Sequence, residues 1–459
     1  MHGKEDVPVM TSYDIAAFGA VGDGVHDNSG PFATALQMLR GAGGGVLRVG
    51  KGMWRTGPLE LFSHSTLLLD EGAVVSFIPE PARYSPVFNR WEGVECYAMH
   101  PCLFANEAED ICIAGKGAVD GSGQAWWELY REKRRLRQSV PETPEEKVLA
   151  RLNAGYENQP SGGGGRSIQF LRPPLVQFFK CSGIRLEGIT LRNSPFWTLH
   201  LVYCSRIHID GVSIVNPADA PNTDGMDIDS CEDVLIENCH VAVGDDGIAI
   251  KSGSGDDGIR VGRPCRRVTV RGCTVEDGHG GIVIGSETAA GVSDVLAEDC
   301  LFKGTDRGIR IKTRRGRGGS IHNLEFRKLT MENNLCPLVI NMFYRCGASL
   351  ADGYFSQSAQ PVDAATPSIR NIRISDIQAS GCRASAGFIA GLPESPVENL
   401  SVQRCEFLVD QHSGVSPGES DMFLGLPEVT EKCIRLLNVK DAVFNEIQVR
   451  GPSQAFIYR

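Results

Sequence analysis

Residues 222–312 contain four turns that can be laid over one another on one frame: a glycine, an apolar residue, any residue and an isoleucine. The turns read Gly225-Met226-Asp227-Ile228, Gly247-Ile248-Ala249-Ile250, Gly281-Ile282-Val283-Ile284 and Gly308-Ile309-Arg310-Ile311. The framing glycines lie 22, 34 and 27 residues apart, which is one supersecondary unit per step. Self-similarity at such a period predicts a solenoid of stacked coils.

Alternating apolar and polar residues indicate that each unit is built from strands. This alternation is clear in residues 184–191, 268–275 and 372–377. Because the pattern returns every 22 to 34 residues, the strands are expected to be parallel and stacked in coils. The sequence therefore predicts an all-β fold, a right-handed parallel β-helix, with the isoleucines of the frame stacked inward and their neighbours outward.

We expect one domain over residues 1–459, since repeat folds escape the size limit of ordinary cores. Residues 13–58 form an N-terminal cap with a helix near 31–40, and regular coils occupy 177–450. Two excursions, 79–107 and 125–165, leave the repeat, and the second ends in a glycine-rich hinge at 161–165. Trp126 and Trp127 in that excursion either form a wall over a cleft or pack locally.

Composition excludes several classes of function. The chain has 459 residues, 42% hydrophobic and 22% charged, with a formal net charge of −10. An acidic balance argues against nucleic acid or an anionic membrane as a partner. The fifteen cysteines include no Cys-x-x-Cys pair, which predicts reduced, buried and stacked thiols. The first six residues carry no apolar run typical of a signal peptide, so we expect a cytoplasmic protein, or a secreted one if the chain was trimmed. A monomer is the default expectation.

Laying the turns in register brings chemically active side chains onto one face, on rungs roughly 4.8 Å apart. They are Asp224, Asp245, Asp246, His279, Arg310 and Lys312. Three carboxylates this close cannot all ionise, so one is expected to hold a proton. A protonated acid beside an ionised base is what hydrolysis of a glycosidic bond needs, and the cations suit an anionic substrate. An isolated Asp pair is usually a turn cap, but convergence on one frame position favours a site.

The chain resembles the polygalacturonase family of glycoside hydrolases, family 28. Four signatures carry the resemblance, Asn222-Thr223-Asp224, Gly244-Asp245-Asp246, Gly278-His279-Gly280 and Arg310-Ile311-Lys312. The resemblance implies hydrolysis of α-1,4-galacturonosyl bonds in pectin, with inversion and without a metal or other cofactor.

The same resemblance assigns a role to each site residue. Asp245 is the implied general acid, supported by His279, and Asp224 with Asp246 activates water. Arg310 and Lys312 bind the substrate carboxylate, while Asn222 and, on a weaker match, Tyr344 belong to the substrate-binding set. The two excursions favour an exo-acting enzyme on short pectic oligosaccharides, because they can wall off one end of the cleft.

Three alternatives stay open at this point. Within the family, the substrate can be a rhamnogalacturonan or an unsaturated oligogalacturonide. A calcium-dependent pectate lyase shares the fold and uses acidic residues such as Asp224, Asp227 and Asp229. A non-catalytic carbohydrate-binding or structural solenoid has the same coils without turnover.

Adjacent rungs also bring the carboxylates nearer than the roughly 6.5 to 9.5 Å typical of inversion.

Overall fold

The computed structural model describes residues 11–156, 166–423, 425 and 429–458. Within these residues the chain forms two large parallel sheets and one antiparallel hairpin. The first is a twelve-stranded sheet with one strand per coil, in chain order from one edge to the other. Its strands are Leu59–Leu61, Leu103–Asn106, Val176–Phe179, Leu199–Val202, Met226–Asp229, Asp246–Lys251, Gly280–Gly285, Arg307–Lys312, Cys336–Asn341, Gly387–Ala390, Ile434–Leu437 and Phe456–Tyr458.

The second is a 25-stranded sheet in which two rows of strands run side by side. The first row comprises Ser12–Asp14, Gly45–Val49, Ser65–Leu69, Glu109–Gly115, Ser182–Glu187, Ser205–Asp210, Glu232–Glu237, Cys265–Arg271, Val292–Glu298, Ser320–Arg327, Ser368–Ser375, Val397–Val409, Val439–Lys440 and Val443–Arg450. The second row comprises Asp23–Asp27, Gly52–Thr56, Ala73–Phe77, Ala118–Asp120, Thr190–Arg192, Ser213–Val215, His240–Val243, Thr274–Asp277, Leu301–Lys303, Thr330–Glu332 and Gln378–Cys382. Strand Val397–Val409 pairs with both rows and joins them.

Helices are few and lie outside the coils. The α-helices are α1 (Ser29–Gly41), α2 (Gly123–Arg135), α3 (Pro144–Leu152) and α4 (Gly255–Val261). Short 3₁₀ turns occupy Ile15–Phe18, Pro81–Arg83, Leu350–Asp352 and Pro417–Ser420. Among the described residues, no helix combines the length and the apolar character needed to cross a bilayer.

The isoleucines of the repeated frame stack in register. Ile228 pairs with Ile250, which pairs with Ile284, and the ladder continues to Ile311. All four side chains are fully buried. The alternate positions Asp227, Ala249, Val283 and Arg310 form a second ladder on the opposite face. The predicted parallel β-helix and its inward isoleucines are confirmed.

The framing glycines are explained by packing between successive coils. A Cβ on Gly225 or Gly247 would lie 2.5 Å from a valine methyl of the next coil, on Val241 and Val275 respectively. At Gly281 it would lie 2.5 Å from the ring of Phe302. A side chain at these positions would therefore push the coils apart, and glycine lets the twelve-stranded sheet approach the neighbouring row.

The N-terminal cap and the two excursions have different structures. Helix α1 buries Phe32, Leu36 and Leu39 against the first coils, as its spacing predicts. The range 79–107 contains an antiparallel hairpin, Pro86–Trp91 with Val94–Met99, before the chain rejoins the twelve-stranded sheet at Leu103–Asn106. Helices α2 and α3 lie in the range 125–165, whose glycine-rich end at 161–165 falls outside the described residues.

The suggested aromatic wall is wrong for Trp126 and Trp127. Both rings are buried, at 0% and 2% exposure, and so present no face to a ligand. Trp126 packs edge-on against Tyr84 at 5.2 Å, and Trp127 donates its indole hydrogen to the carbonyl of Ser194 at 2.9 Å. Their amphipathic helix α2 turned its aromatic face inward, which is the local-packing alternative.

The cysteines are free thiols, as predicted, and all are buried except the partly exposed Cys346. Several stack on successive coils: the backbone N–H of Cys181 donates to Sγ of Cys204 at 3.4 Å, and that of Cys204 to Cys231 at 3.3 Å. Each therefore occupies one position of the repeat and packs as a small apolar side chain.

Candidate active site

Three carboxyl groups meet where two neighbouring turns enter the twelve-stranded sheet. One oxygen each from Asp224, Asp245 and Asp246 lies within 4.8 Å of the other two. The backbone fixes this meeting, because the N–H of Gly225 donates to the carbonyl of Asp246 at 2.9 Å. The N–H of Asp246 in turn donates to Oδ1 of Asp245 at 3.0 Å. The convergence expected from the repeat is therefore present.

Asp246 is held as an anion by two cations from two coils further on. Nζ of Lys312 donates to its Oδ2 at 2.5 Å, and Nη1 of Arg310 to its Oδ1 at 3.3 Å. Burial alone would raise the pKa of Asp246, but Lys312, Arg310 and the nearby Lys251 hold it well below its usual range. Asp246 is thus the carboxylate of the three that stays ionised.

Asp224 behaves in the opposite way. Its side chain is buried, and burial together with the neighbouring Asp227 and Asp245 raises the pKa of Asp224 well above its ordinary value. Nζ of Lys251 lies 3.4 Å from Oδ2 of Asp224 and opposes that rise. The pKa of Asp227 is also raised, to about 7, by burial. Asp224 and Asp227 therefore have a higher affinity for a proton than Asp246 has, while Asp245 is partly exposed to solvent.

His279 lies beside Asp245, and a neighbouring carboxylate, Asp306, favours its protonated form. Its backbone N–H donates to the carbonyl of Asp245 at 2.9 Å, and its imidazole is half exposed. Nδ1 contacts Oδ2 of Asp306 at 2.8 Å, and this hydrogen bond raises the pKa of His279 against the effect of burial. Nη1 of Arg307 lies 3.1 Å from the same Asp306 oxygen.

The remaining predicted residues frame these groups. The ring of Tyr344 is buried, with its centroid 5.4 Å from the guanidinium carbon of Arg310 and 5.3 Å from Nζ of Lys312. Asn222 lies two residues before Asp224, and its Oδ1 accepts a hydrogen bond from Nη2 of Arg172 at 3.0 Å. All eight residues singled out from the sequence are thus in or beside one site.

The guanidinium of Arg310 is buried and bound to carboxylates of the protein, which the sequence did not predict. Only 2% of its surface is exposed, and Nη2 donates to Oδ1 of Asp421 at 2.9 Å while Nη1 faces Asp246. Asp421 is in turn fixed by Nδ2 of Asn341 at 2.7 Å. Arg310 therefore bridges Asp246 to a loop residue, Asp421, that lies 111 residues further along the chain.

Lys251 is a site residue that the sequence argument did not assign. Its ammonium lies 3.1 Å from Asp227, 3.4 Å from Glu287 and 3.4 Å from Asp224. It also sits 3.9 Å from the ring centroid of Trp197. The repeat places Lys251 beside Asp229 on the outward face of the sheet, so a position near the site could have been predicted. The repeat does not show that the ammonium turns toward Asp224.

The hairpin covers the outer face of the sheet on the N-terminal side of the carboxylates. Nδ2 of Asn89 donates to Oε1 of Gln177 at 3.0 Å, and Nη1 of the buried Arg90 pairs with Asp229 at 2.7 Å. At the hairpin tip, the carbonyl of Gly93 accepts from the backbone N–H of Ser254 at 2.9 Å. The hairpin therefore ends against the loop that follows the Asp246 strand.

Comparison with known proteins identifies the family. The family model described as glycosyl hydrolases family 28 matches residues 165–403. A probable polygalacturonase from Vitis vinifera is 30% identical over 401 residues, covering 85% of this chain and 73% of that protein. A polygalacturonase from Ralstonia solanacearum is 26% identical over 349 residues, covering 68% and 60%.

Solved structures give the same result for the fold. A hyperthermoactive exopolygalacturonase from Thermotoga maritima is 28% identical with a TM-score of 0.75, covering 98% of this chain and 92% of that one. The family 28 exopolygalacturonase of Yersinia enterocolitica is 20% identical with a TM-score of 0.75, covering 98% and 77%. Fold and site together define a glycosidase built on a parallel β-helix. The chain belongs to glycosyl hydrolases family 28.

Proposed function

We propose that the enzyme hydrolyses α-1,4-galacturonosyl linkages of pectic galacturonan and removes sugars from the non-reducing end. The observation that carries the proposal is the division of charge among the three carboxyl groups. Asp246 is ionised by Lys312, Asp224 has a raised pKa, and Asp245 is open to solvent. The relatives named as polygalacturonases and exopolygalacturonases support the choice of linkage.

In the proposed mechanism each carboxyl group has one task. Asp245, the accessible group beside His279, protonates the leaving glycosidic oxygen. Asp224 takes the proton from water, because a base with a raised pKa is stronger than one held ionised by cations. Asp246 positions that water and keeps its own charge through Lys312.

Single displacement with inversion is part of the proposal. The nearest oxygens of the three acids lie within 4.8 Å, closer than the roughly 6.5 to 9.5 Å separation typical of inverting enzymes. Double displacement would need an accessible, ionised nucleophile. Asp246 is 1% exposed and both its oxygens already accept from Lys312 and Arg310, so it suits water positioning better than attack on a sugar.

The cations favour a substrate that carries carboxylates. His279 is the accessible one, and Asp306 promotes its charged form. Lys312 and Arg310 add positive charge behind Asp246, and Tyr344 lies against both. Because Arg310 and Lys312 are buried and already contact carboxylates, we propose that His279 meets the sugar acid first.

Exo action is supported by the hairpin. Its tip is hydrogen-bonded to Ser254, and a Cβ on Gly93 would lie 2.7 Å from Cγ of Glu287. Glu287 contacts Lys251, which contacts Asp224, so the covered end lies a short way from the proposed base. A cleft closed on one side accepts the end of a chain and excludes its middle.

Substrate choice and mode of action can be tested together. Purified enzyme is incubated with polygalacturonate and, separately, with rhamnogalacturonan, while reducing ends and viscosity are followed. The proposal predicts new reducing ends from polygalacturonate with little early loss of viscosity. A rapid viscosity drop would contradict exo action, and turnover of rhamnogalacturonan alone would contradict the galacturonan assignment.

A further inference from the structure

The tip of the hairpin carries a buried carboxyl group without a hydrogen-bonding partner. Glu92 is 5% exposed, and no described residue donates a hydrogen bond to its side chain; Oε2 is fully enclosed. Asn89, Arg90 and Glu95 on the same hairpin each make at least one side-chain hydrogen bond, to Gln177, Asp229 and Tyr203 respectively. Oδ1 of Asn89 and Nε of Arg90 also lack a partner among the described residues, but each of those side chains is held by another of its atoms, whereas Glu92 is not. Buried polar groups normally have a partner, so an exception beside a cleft indicates a ligand.

The backbone around Glu92 is held rigidly toward the site. Nη2 of Arg166 donates to the carbonyl of Glu92 at 3.2 Å, and the hydroxyl of Tyr156 donates to the carbonyl of Trp91 at 3.3 Å. The next residue, Gly93, accepts from Ser254. Glu92 itself has a backbone φ of 43°, in the left-handed region that favours glycine. Gly93 has a φ of 77°, and positive φ at both central residues is what a two-residue hairpin turn between Trp91 and Val94 requires. The three contacts fix the position of this turn.

Contacts link this tip to the proposed base. Gly93 touches Glu287, Oε2 of Glu287 lies 3.4 Å from Nζ of Lys251, and Nζ lies 3.4 Å from Asp224. Burial raises the pKa of Glu92 to about 7, with Glu287 adding to the rise and Arg166 opposing it. The group therefore lies at the covered end of the cleft, where the last sugar of a chain would be.

We propose that Glu92 recognises the free 4-hydroxyl of the terminal, non-reducing galacturonate. A terminal unit carries a hydroxyl that donates a hydrogen bond to the carboxyl oxygen, whereas an internal unit carries a glycosidic oxygen that has no hydrogen. The ionised carboxylate, which prevails above the pKa of about 7, would accept from the first and meet only lone pairs on the second. The enzyme would then select chain ends by this hydrogen bond as well as by the cleft that the hairpin closes at one end. This inference rests on the proposed function.

Unsaturated oligogalacturonides, the products of lyases, provide the probe because their non-reducing sugar lacks the 4-hydroxyl. Saturated and unsaturated trigalacturonate are compared as substrates of the native enzyme and of Glu92→Ala, Glu92→Gln and Glu95→Gln. Glu95 lies on the same hairpin but bonds to Tyr203 and Arg260, so its variant is the matched control.

We expect the native enzyme to prefer the saturated substrate at least tenfold in kcat/KM, and Glu92→Ala to reduce that preference to less than threefold. Glu92→Gln keeps an acceptor oxygen and is expected to restore most of the preference, while Glu95→Gln leaves it unchanged. An unchanged preference in Glu92→Ala, or the same loss on both substrates in all three variants, would overturn the inference. No turnover of either trimer by the native enzyme would instead contradict the proposed function.

Discussion

Nζ of Lys312 donates a hydrogen bond to Oδ2 of Asp246 at 2.5 Å, across the intervening strand Gly280–Gly285. Both side chains are buried, so the ion pair between them offsets the free energy that each charge loses when it leaves water. The pKa of Asp246 is depressed, and its contribution to stability is therefore present above its unfolded pKa and lost as the pH falls through the folded value.

Lys312→Met is expected to leave Asp246 as a poorly compensated buried anion. Breaking a buried pair in this way costs about 3 kcal/mol of the free energy of unfolding at neutral pH. Denaturant unfolding measures the loss, which should shrink toward acidic pH. Lys328→Met is the control, because its pair with Asp299 at 3.8 Å is exposed and should be worth less than about 1 kcal/mol. Equal effects of the two variants would contradict the role of Lys312.

Asp227→Asn should move the acidic limb of the pH–rate profile to lower pH. The Asp227 carboxylate is one cause of the raised pKa of Asp224, and removing that charge lets Asp224 ionise earlier. Asparagine keeps the shape of the protonated acid, so we expect the fold to tolerate it. The kcat profile of both enzymes gives the comparison. A limb that stays in place, or moves to higher pH, would exclude Asp224 as the titrating base.

Asp306→Asn should lower the pKa of His279, since the hydrogen bond that the imidazole donates to Asp306 is the largest cause of its rise. A raised histidine pKa keeps the cation up to higher pH, and the charge is lost as the pH rises through that value. We therefore expect the KM of the variant for an anionic oligomer to increase at lower pH than that of the native enzyme. NMR titration of the imidazole checks the cause directly. Identical titrations would contradict the assignment.

Chelator treatment separates the hydrolase from a calcium-dependent lyase. Asp224, Asp245 and Asp246 are close enough to hold an ion, but Asp246 already accepts from Lys312 and Arg310. We predict that an excess of EDTA leaves the release of reducing ends unchanged and that the products have no new ultraviolet absorbance. Loss of activity restored by Ca²⁺, with an absorbing product, would instead support the lyase.

The coil architecture could be predicted from the sequence, because each turn repeats the framing glycine and its isoleucine pairs in register with the isoleucine of the next turn. The meeting of Asp224, Asp245 and Asp246 could be predicted for the same reason. Asp421 could not, since it reaches Arg310 from a loop outside the repeat. Neither could Lys251, because the repeat does not show that its ammonium turns toward Asp224. Nor could Glu92, whose position depends on how the hairpin packs over the sheet, and no periodic pattern records that packing. The burial of Trp126 likewise depends on the tertiary orientation of helix α2.

The most direct test of the account is a time course on reducing-end-labelled tri- and tetragalacturonate with native enzyme and Asp245→Asn. Asparagine keeps the acceptor for the Asp246 N–H, so the turn should remain intact while the proton donor is lost. We predict stepwise release of single galacturonates by the native enzyme and a rate lower by roughly 10² to 10⁴ in the variant, with an unchanged melting temperature. A variant that retains the native rate would contradict the role of Asp245, and mid-chain cleavage by the native enzyme would contradict exo action.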